Sequence, residues 1–185
     1  YRCIDTLKFE ITLKWYRDCR GISLNGAGRL TIRCTSGGSR TTTLTLKSIR
    51  EITPVCATEP SRCKPSNTYG TGEGVEEHTY TGVLDFNTTP LNALAKCTGK
   101  IIIGGQVNAR NGAITTGPNG TLYTDCTIDL NKAPCNTSPA LTSEPIAILC
   151  CDQPFYFNNG ALDPATYDSL SYAWANPQRA YHTNP

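Results

Sequence analysis

Methionine is absent from this 185-residue chain, and other features that mark common protein classes are scarce. No apolar run approaches the roughly 18 residues that a membrane-spanning helix needs, so the sequence predicts no membrane span. The chain opens on Tyr1, with neither an initiator Met nor a basic and apolar leader. We therefore expect a processed or excised piece of a longer product.

An excess of charge of one sign is also lacking. Lys and Arg number 17 and Asp and Glu number 15, which gives a formal net charge of +2. A nucleic-acid-binding domain usually concentrates much more positive charge on one face. The sequence therefore predicts no nucleic-acid partner.

Residue patterns for catalysis and for zinc binding are missing. The two histidines, His78 and His182, stand far apart, and no two cysteines have Cys-x-x-Cys spacing. The sequence contains no Gly-x-Ser-x-Gly elbow, and "GTGEG" is not followed by the Lys-Ser or Lys-Thr of a phosphate-binding loop. We predict that the chain is not an enzyme.

Calcium is the one cofactor for which the sequence offers candidate ligands. Asp163 and Asp168 bracket the segment "DPATYD", and calcium prefers hard oxygen ligands such as Asp carboxylates. Alternatively, each carboxylate caps a turn or a helix N-terminus, which is the commoner role of Asp.

Cysteine is the residue in greatest excess. Ten cysteines, an even number, predict up to five disulfides and therefore an oxidising, extracellular compartment. The disulfide candidates are Cys3, Cys19, Cys34, Cys56, Cys63, Cys97, Cys126, Cys135, Cys150 and Cys151. Proximity in one loop favours a bond between Cys56 and Cys63, and a bond between Cys135 and Cys150 is a second hypothesis.

Cys19 follows Arg17 and Asp18 at the end of a predicted strand, and two roles are open to it. A reactive thiol would need a lowered pKa, which Arg17 and Arg20 could supply. The nine other cysteines favour a half-cystine instead. Arg17 and Asp18 would then form a local or cross-strand pair at the rim of the sheet.

The dominant hydrophobic period is two, which is typical of half-buried strands. In "KFEITLKWY" the apolar residues Phe9, Ile11, Leu13 and Trp15 share one face. The alternation recurs in "GRLTIRC", "TTTLTLKSI", "HTYTGVLDF" and "TLYTDCTIDL". The apolar runs "KIIIGG" and "EPIAILCC" predict strands covered on both faces, and helical signals are restricted to "PLNALAK" and "DPATYDSL".

This pattern predicts an all-β fold, an antiparallel β-sandwich of Ig-like or jelly-roll-like type that is stapled by disulfides. Residues 1–185 are expected to form a single module. An elaborated loop near residues 56–77 could also mark a subdivision.

Several motifs, in a consistent order along almost the whole chain, resemble those of one secreted protein family. The motifs are "YRCIDTLKFEITLKWYRDCRG", "EITPVCATEPSRC", "GVEEHTYTGVLDF", "ARNGAITT", "CNTSPALTSEPIAILC" and "FNNGALDPATYDSLSY". The family is that of the gliding-motility-associated surface proteins of Bacteroidetes, which are exported by the type IX system. Here Asn108 and Ala109 replace two cysteines common in the family, and residues 165–167 replace an Asp-Gly, which weakens the calcium hypothesis.

The resemblance implies a location at the bacterial cell surface and a role in gliding or attachment. It also implies O-glycosylation at Asp-Thr/Ser-apolar tripeptides, which points to Thr6 and Ser169. We expect a non-catalytic structural or adhesive module of a surface protein or filament. Its partners would be neighbouring modules or copies of itself, joined head to tail or by strand addition to "SRTTTLTLKSI". The alternative is a secreted carbohydrate-binding module that binds surface glycans through Trp15, Trp174 or tyrosines.

Overall fold

The computed structural model describes residues 1–53, 61, 63, 74–108, 110, 120–145, 152–158, 160–163 and 168–176. The regular secondary structure of these residues is almost entirely β-strand, and strands account for 45% of them. The strands are β1 (Arg2–Asp5), β2 (Lys8–Asp18), β3 (Arg29–Cys34), β4 (Ser39–Thr43), β5 (Thr45–Glu51), β6 (Val75–Asp85), β7 (Ile101–Val107), β8 (Leu122–Ile128), β9 (Ala140–Leu141) and β10 (Ala161–Leu162). A single turn of 3-10 helix spans Leu91–Ala93, within the "PLNALAK" segment.

The strands form two four-stranded antiparallel sheets around a shared apolar core, so the predicted sandwich is confirmed. Sheet A has the strand order β1-β2-β6-β5, and sheet B has the order β4-β3-β7-β8. The short strands β9 and β10 pair separately from both sheets.

The inner face of sheet A is built by the alternation in β2. Phe9, Ile11, Leu13 and Trp15 are buried, as their spacing predicts. Trp15 is 4% exposed, and its indole Nε1 donates a hydrogen bond to the Ala27 carbonyl at 2.9 Å. Trp15 is therefore a core residue and is not available as a surface platform for a saccharide.

Strand β7 is one of the two inner strands of sheet B and carries a continuous apolar run. Ile101, Ile102 and Ile103 are all buried, although successive residues of a strand point to opposite faces. The prediction that "KIIIGG" is covered on both faces is confirmed. The other such run, "EPIAILCC", lies mostly outside the described residues.

The chain passes from sheet B to sheet A at Leu44, the one residue between β4 and β5. Leu44 is 4% exposed, and its backbone N–H donates to the Gly28 carbonyl at 2.8 Å. A Cβ on Gly28 would lie 2.5 Å from the Leu44 carbonyl oxygen, and a Cβ on Gly82 would lie 2.7 Å from Leu44 Cδ2. "TTTLTLKSI" was predicted as one strand, but this crossing divides it between two sheets.

Three disulfides join cysteines that are distant in the sequence. They are Cys3–Cys135, Cys19–Cys63 and Cys34–Cys97, with Cα–Cα distances of 5.2, 5.0 and 5.8 Å. The half-cystine role of Cys19 is confirmed.

The two proposed disulfide pairings are wrong. Cys63 bonds to Cys19 rather than to Cys56, and Cys135 bonds to Cys3 rather than to Cys150. In the fold, Cys19 at the end of β2 lies beside Cys63, and Cys3 in β1 lies beside Cys135. Nearness in the sequence therefore does not determine the disulfide partner. Cys56, Cys150 and Cys151 lie outside the described residues, as does most of the predicted loop near residues 56–77.

Candidate functional site

The clearest candidate surface is the pair of edge strands on either side of Leu44. Strand β4 is an edge of sheet B and β5 is an edge of sheet A, so both strands of the "SRTTTLTLKSI" segment are edge strands. All seven residues of β5 and four of the five in β4 are exposed. Within the described part of the chain, no strand pairs with the outer side of either one. Such a row of unpaired N–H and C=O groups is a template for another strand.

The edge of β5 also leaves apolar side chains uncovered. Leu46 lies opposite Tyr80 and Ile49 lies opposite His78, and both of these partners are buried on the inner face of sheet A. Opposed residues in an antiparallel pair point to the same side. Leu46 and Ile49 therefore extend the inner face, yet they are 44% and 54% exposed.

The edge is only partly protected. A β-bulge between Leu46 and Ser48 disturbs the register of β5, and Lys47 lies within it. Bulges and charged side chains are common means of blocking an edge strand. Strand β4 has neither a proline nor an irregularity in its register.

A segment with the pattern of a strand lies exposed elsewhere in the chain. Residues 168–176 read "DSLSYAWAN", in which Leu170, Tyr172 and Trp174 alternate with small residues. Tyr172 and Trp174 are 67% and 104% exposed. The structure assigns no secondary structure to these nine residues, so the segment has the alternation of a strand without forming one.

A charged cluster lies at the end of sheet A beside the Cys19–Cys63 disulfide. Arg17 forms an ion pair with Glu76, its cross-strand neighbour, and donates to the Gly21 and Ile22 carbonyls. Nε2 of His78 lies 2.6 Å from Glu76 Oε1. Burial raises the pKa of Glu76, but its hydrogen bonds with His78 and Arg17 outweigh burial and hold the pKa below its ordinary value.

This cluster fixes the chain after β2 rather than preparing a nucleophile. Arg17 makes the predicted cross-strand pair, but with Glu76 and not with Asp18. Asp18 accepts a hydrogen bond from the Arg20 backbone N–H at 2.8 Å. Cys19 Sγ is 3.9 Å from Glu76 Oε2, but the disulfide removes its thiol.

A second charged network crosses the outer face of sheet A. The buried Glu77 carboxylate accepts hydrogen bonds from Lys14 at 3.1 Å and Tyr16 at 3.2 Å, and Arg50 bridges it to Glu144. Burial raises the pKa of Glu77, but these partners, Lys14 first, lower it below its ordinary value. Burial and the charge of Glu77 raise the pKa of Tyr16 to about 12. The network ties β5 to β6 and to the segment that follows β9.

The predicted calcium ligands do not lie in a recognisable metal site. Asp163 is 9% exposed and Asp168 is exposed, and each makes contacts within the protein. Among the described residues, no group of three or more His, Cys, Asp or Glu side chains could hold a metal ion.

The predicted glycosylation sites are both at the surface. Thr6 is exposed in the turn between β1 and β2, and Ser169 is exposed in the segment 168–176. Both hydroxyls have the exposure that an attached glycan requires, and the modification itself stays a prediction.

Cys126, one of the ten disulfide candidates, is a free thiol in β8, so the upper limit of five disulfides is not reached. The residue is half-buried, and burial raises the pKa of its thiol. Because the thiolate is the nucleophilic form, this environment disfavours reaction.

Of the helices in the described residues, none is long and apolar enough to cross a membrane.

Comparison with known proteins assigns no relative. No protein-family model, no curated protein and no solved structure matches the chain.

Proposed function

We propose that this protein is a non-catalytic, extracellular structural or adhesive module that assembles with copies of itself by strand addition. The donor is the segment 168–176 of one copy. The acceptor is the backbone edge of β5 in the next copy, on the side that faces away from β6. The observation that supports the proposal is that an edge with no strand partner among the described residues and an exposed strand-like segment occur in the same chain. We assign the module to the surface of a gliding bacterium on the basis of its family resemblance.

The side chains of donor and acceptor are complementary. An added strand would continue the alternation of sheet A, with every second side chain on the inner face. Leu170, Tyr172 and Trp174 would then lie beside Leu46 and Ile49, which are uncovered on that face. Main-chain hydrogen bonds would supply affinity, and the alternating side chains would set the register.

The disulfides suit an extracellular building block. They close sequence separations of 132, 44 and 63 residues. Each such cross-link typically contributes about 3–5 kcal/mol by restricting the unfolded chain. Stable disulfides form in oxidising compartments, which is consistent with secretion.

Two variants and a matched control test the proposal. Ile49→Lys places a charge at the acceptor edge, while Val83→Lys places the same charge at a side chain of almost equal exposure in β6, which is not an edge strand. Tyr172→Ser with Trp174→Ser removes the donor side chains. We expect the mass measured by sedimentation velocity to rise with concentration for the unsubstituted chain and for Val83→Lys only.

A mixing experiment identifies the two surfaces as partners. Ile49→Lys keeps the donor, and the double variant keeps the acceptor, so an equimolar mixture should form a 1:1 complex although neither variant self-associates. Monomers at all concentrations, or a mixture that stays monomeric, would contradict the proposal.

A further inference from the structure

A groove with a volume of about 870 Å³ lies on the outer face of sheet B. Its described lining residues come from β3, β7, β8 and the loop that follows β2. Ligand pockets typically measure about 300–1,000 Å³, so the groove can hold a small molecule or part of a chain-like ligand. It is separate from the edge of β5, which belongs to sheet A.

One side of the groove is a row of polar side chains on β3. Arg29, Thr31 and Arg33 point to the outer face, because Leu30 and Ile32 between them are buried in the core. Four residues of a strand span about 13 Å, so the two Arg positions are widely separated. The groove can therefore present its two guanidinium groups to separate anionic groups of a ligand that extends along the strand.

Gly104 and Tyr123 shape the other side. The pairing of β7 with β8 places Tyr123 opposite Gln106. Gln106 is two residues from Gly104, so both lie on the same face of β7. A Cβ on Gly104 would lie 2.1 Å from Tyr123 Oη and 2.5 Å from Cζ. The phenol ring therefore lies across Gly104, in space that any other residue would fill, and lines the groove.

The chemistry of the lining selects the ligand. The described lining residues include two Arg side chains and no carboxylate. The remaining polar side chains that line it belong to Ser23, Asn25, Thr31, Gln106, Asn108 and Tyr123. Guanidinium groups match carboxylate or sulfate oxygens, hydroxyl and amide groups match sugar hydroxyls, and an aromatic ring can pack against a sugar ring.

We propose that this groove binds an acidic saccharide. Arg29 and Arg33 contact its carboxylate or sulfate groups, and Tyr123 packs against one of its rings. A nucleic acid fits less well, because the chain has a net charge of only +2. The proposal places the saccharide-binding site in this groove rather than at Trp15, and it does not depend on strand addition.

Calorimetry on the full chain tests the ligand class with four probes. They are a galacturonic acid tetrasaccharide, a neutral galactose tetrasaccharide, inorganic sulfate and a tetraglutamate peptide. We expect the acidic tetrasaccharide to bind at least about tenfold more tightly than the other three, because only it offers both the anions and the sugar rings. A charged hydrogen bond contributes enough for such a ratio. Equal or tighter binding of any other probe, or no binding of the acidic tetrasaccharide, would overturn the proposal.

Variants then locate the binding site. Arg29→Ala and Arg33→Ala should each weaken binding of the acidic tetrasaccharide about tenfold. Arg2→Ala removes an exposed Arg from sheet A and should leave binding unchanged. Gly104→Ala displaces the phenol without changing any charge and should also weaken binding, while Tyr123→Ala checks the ring directly. Unchanged affinity in both Arg29→Ala and Arg33→Ala, with their folding verified by circular dichroism, would refute the assignment.

Discussion

At the scale of single residues, the glycines around Leu44 decide whether the chain can change sheets. Gly28→Ala should destabilise the protein by about 1–3 kcal/mol, because the new methyl group would meet the Leu44 carbonyl and the Tyr80 ring, and a backbone atom cannot move aside alone. Gly105→Ala is the matched control, since its Cβ would meet only side-chain atoms at 3.2–3.4 Å. Urea denaturation of both variants measures the difference. Equal loss in the two would show that the contact at Leu44 is not limiting.

The carboxylates Glu76 and Glu77 should make stability depend on pH. Their pKa values in the folded protein are lowered from 4.5, so each stabilises the fold above that pH and loses its contribution as the pH falls through the folded pKa. Glu76→Gln and Glu77→Gln should therefore be less stable than the parent at pH 7, and the difference should shrink below pH 4.5. Thermal unfolding at a series of pH values tests this, and a difference that is constant with pH would disprove it.

At the scale of elements, β1 depends on a covalent bond for its position. Cys3 is joined to Cys135, and the Ser138 backbone N–H donates to the Tyr1 carbonyl at 2.8 Å. Replacing both cysteines by Ala should cost about 3–5 kcal/mol, because the bond closes a separation of 132 residues. Hydrogen exchange should accelerate first in β1 and residues 133–138. Faster exchange spread evenly over both sheets would contradict this local role.

The strands differ in how far the sequence predicts them. In β2, β3 and β7 the buried residues can be predicted from a hydrophobic period of two or from a continuous apolar run. Both patterns are local in the sequence. The division of "TTTLTLKSI" is not local, because it depends on the close approach of Gly28 and Gly82 to Leu44. The edge position of both halves depends on how the strands pair, which the local pattern does not show either.

The charged networks were missed, and the disulfide pairings were predicted wrongly, for a related reason. Glu76 and Glu77 have basic partners in β2, but only the register of β2 with β6 brings Arg17 and Lys14 opposite or beside them. The acidic residues of "EEH" and the basic residues of "KWYR" are a signal that becomes useful only once that pairing is assumed. Disulfide partners likewise depend on which strands are neighbours.

At the scale of the whole molecule, the free thiol of Cys126 limits the number of disulfides. Ten cysteines less Cys126 leave nine, so at most four disulfides can form within one chain. The unreduced, denatured protein should therefore be at most about 8 mass units lighter than the all-thiol form, because each disulfide removes two hydrogens. Mass spectrometry with thiol alkylation should detect at least two modified cysteines. A chain lighter by about 10 units would show that Cys126 is bonded.

The crossing at Leu44 also has a mechanical consequence. Because one residue separates β4 from β5, tension applied to a strand bound along β5 reaches sheet B through a few covalent bonds rather than through the apolar core. The buried Leu44 side chain and its hydrogen bond to Gly28 anchor that junction. The two sheets would then share a pulling force in parallel, so a fibre built through this edge would resist separation of the sandwich layers under load.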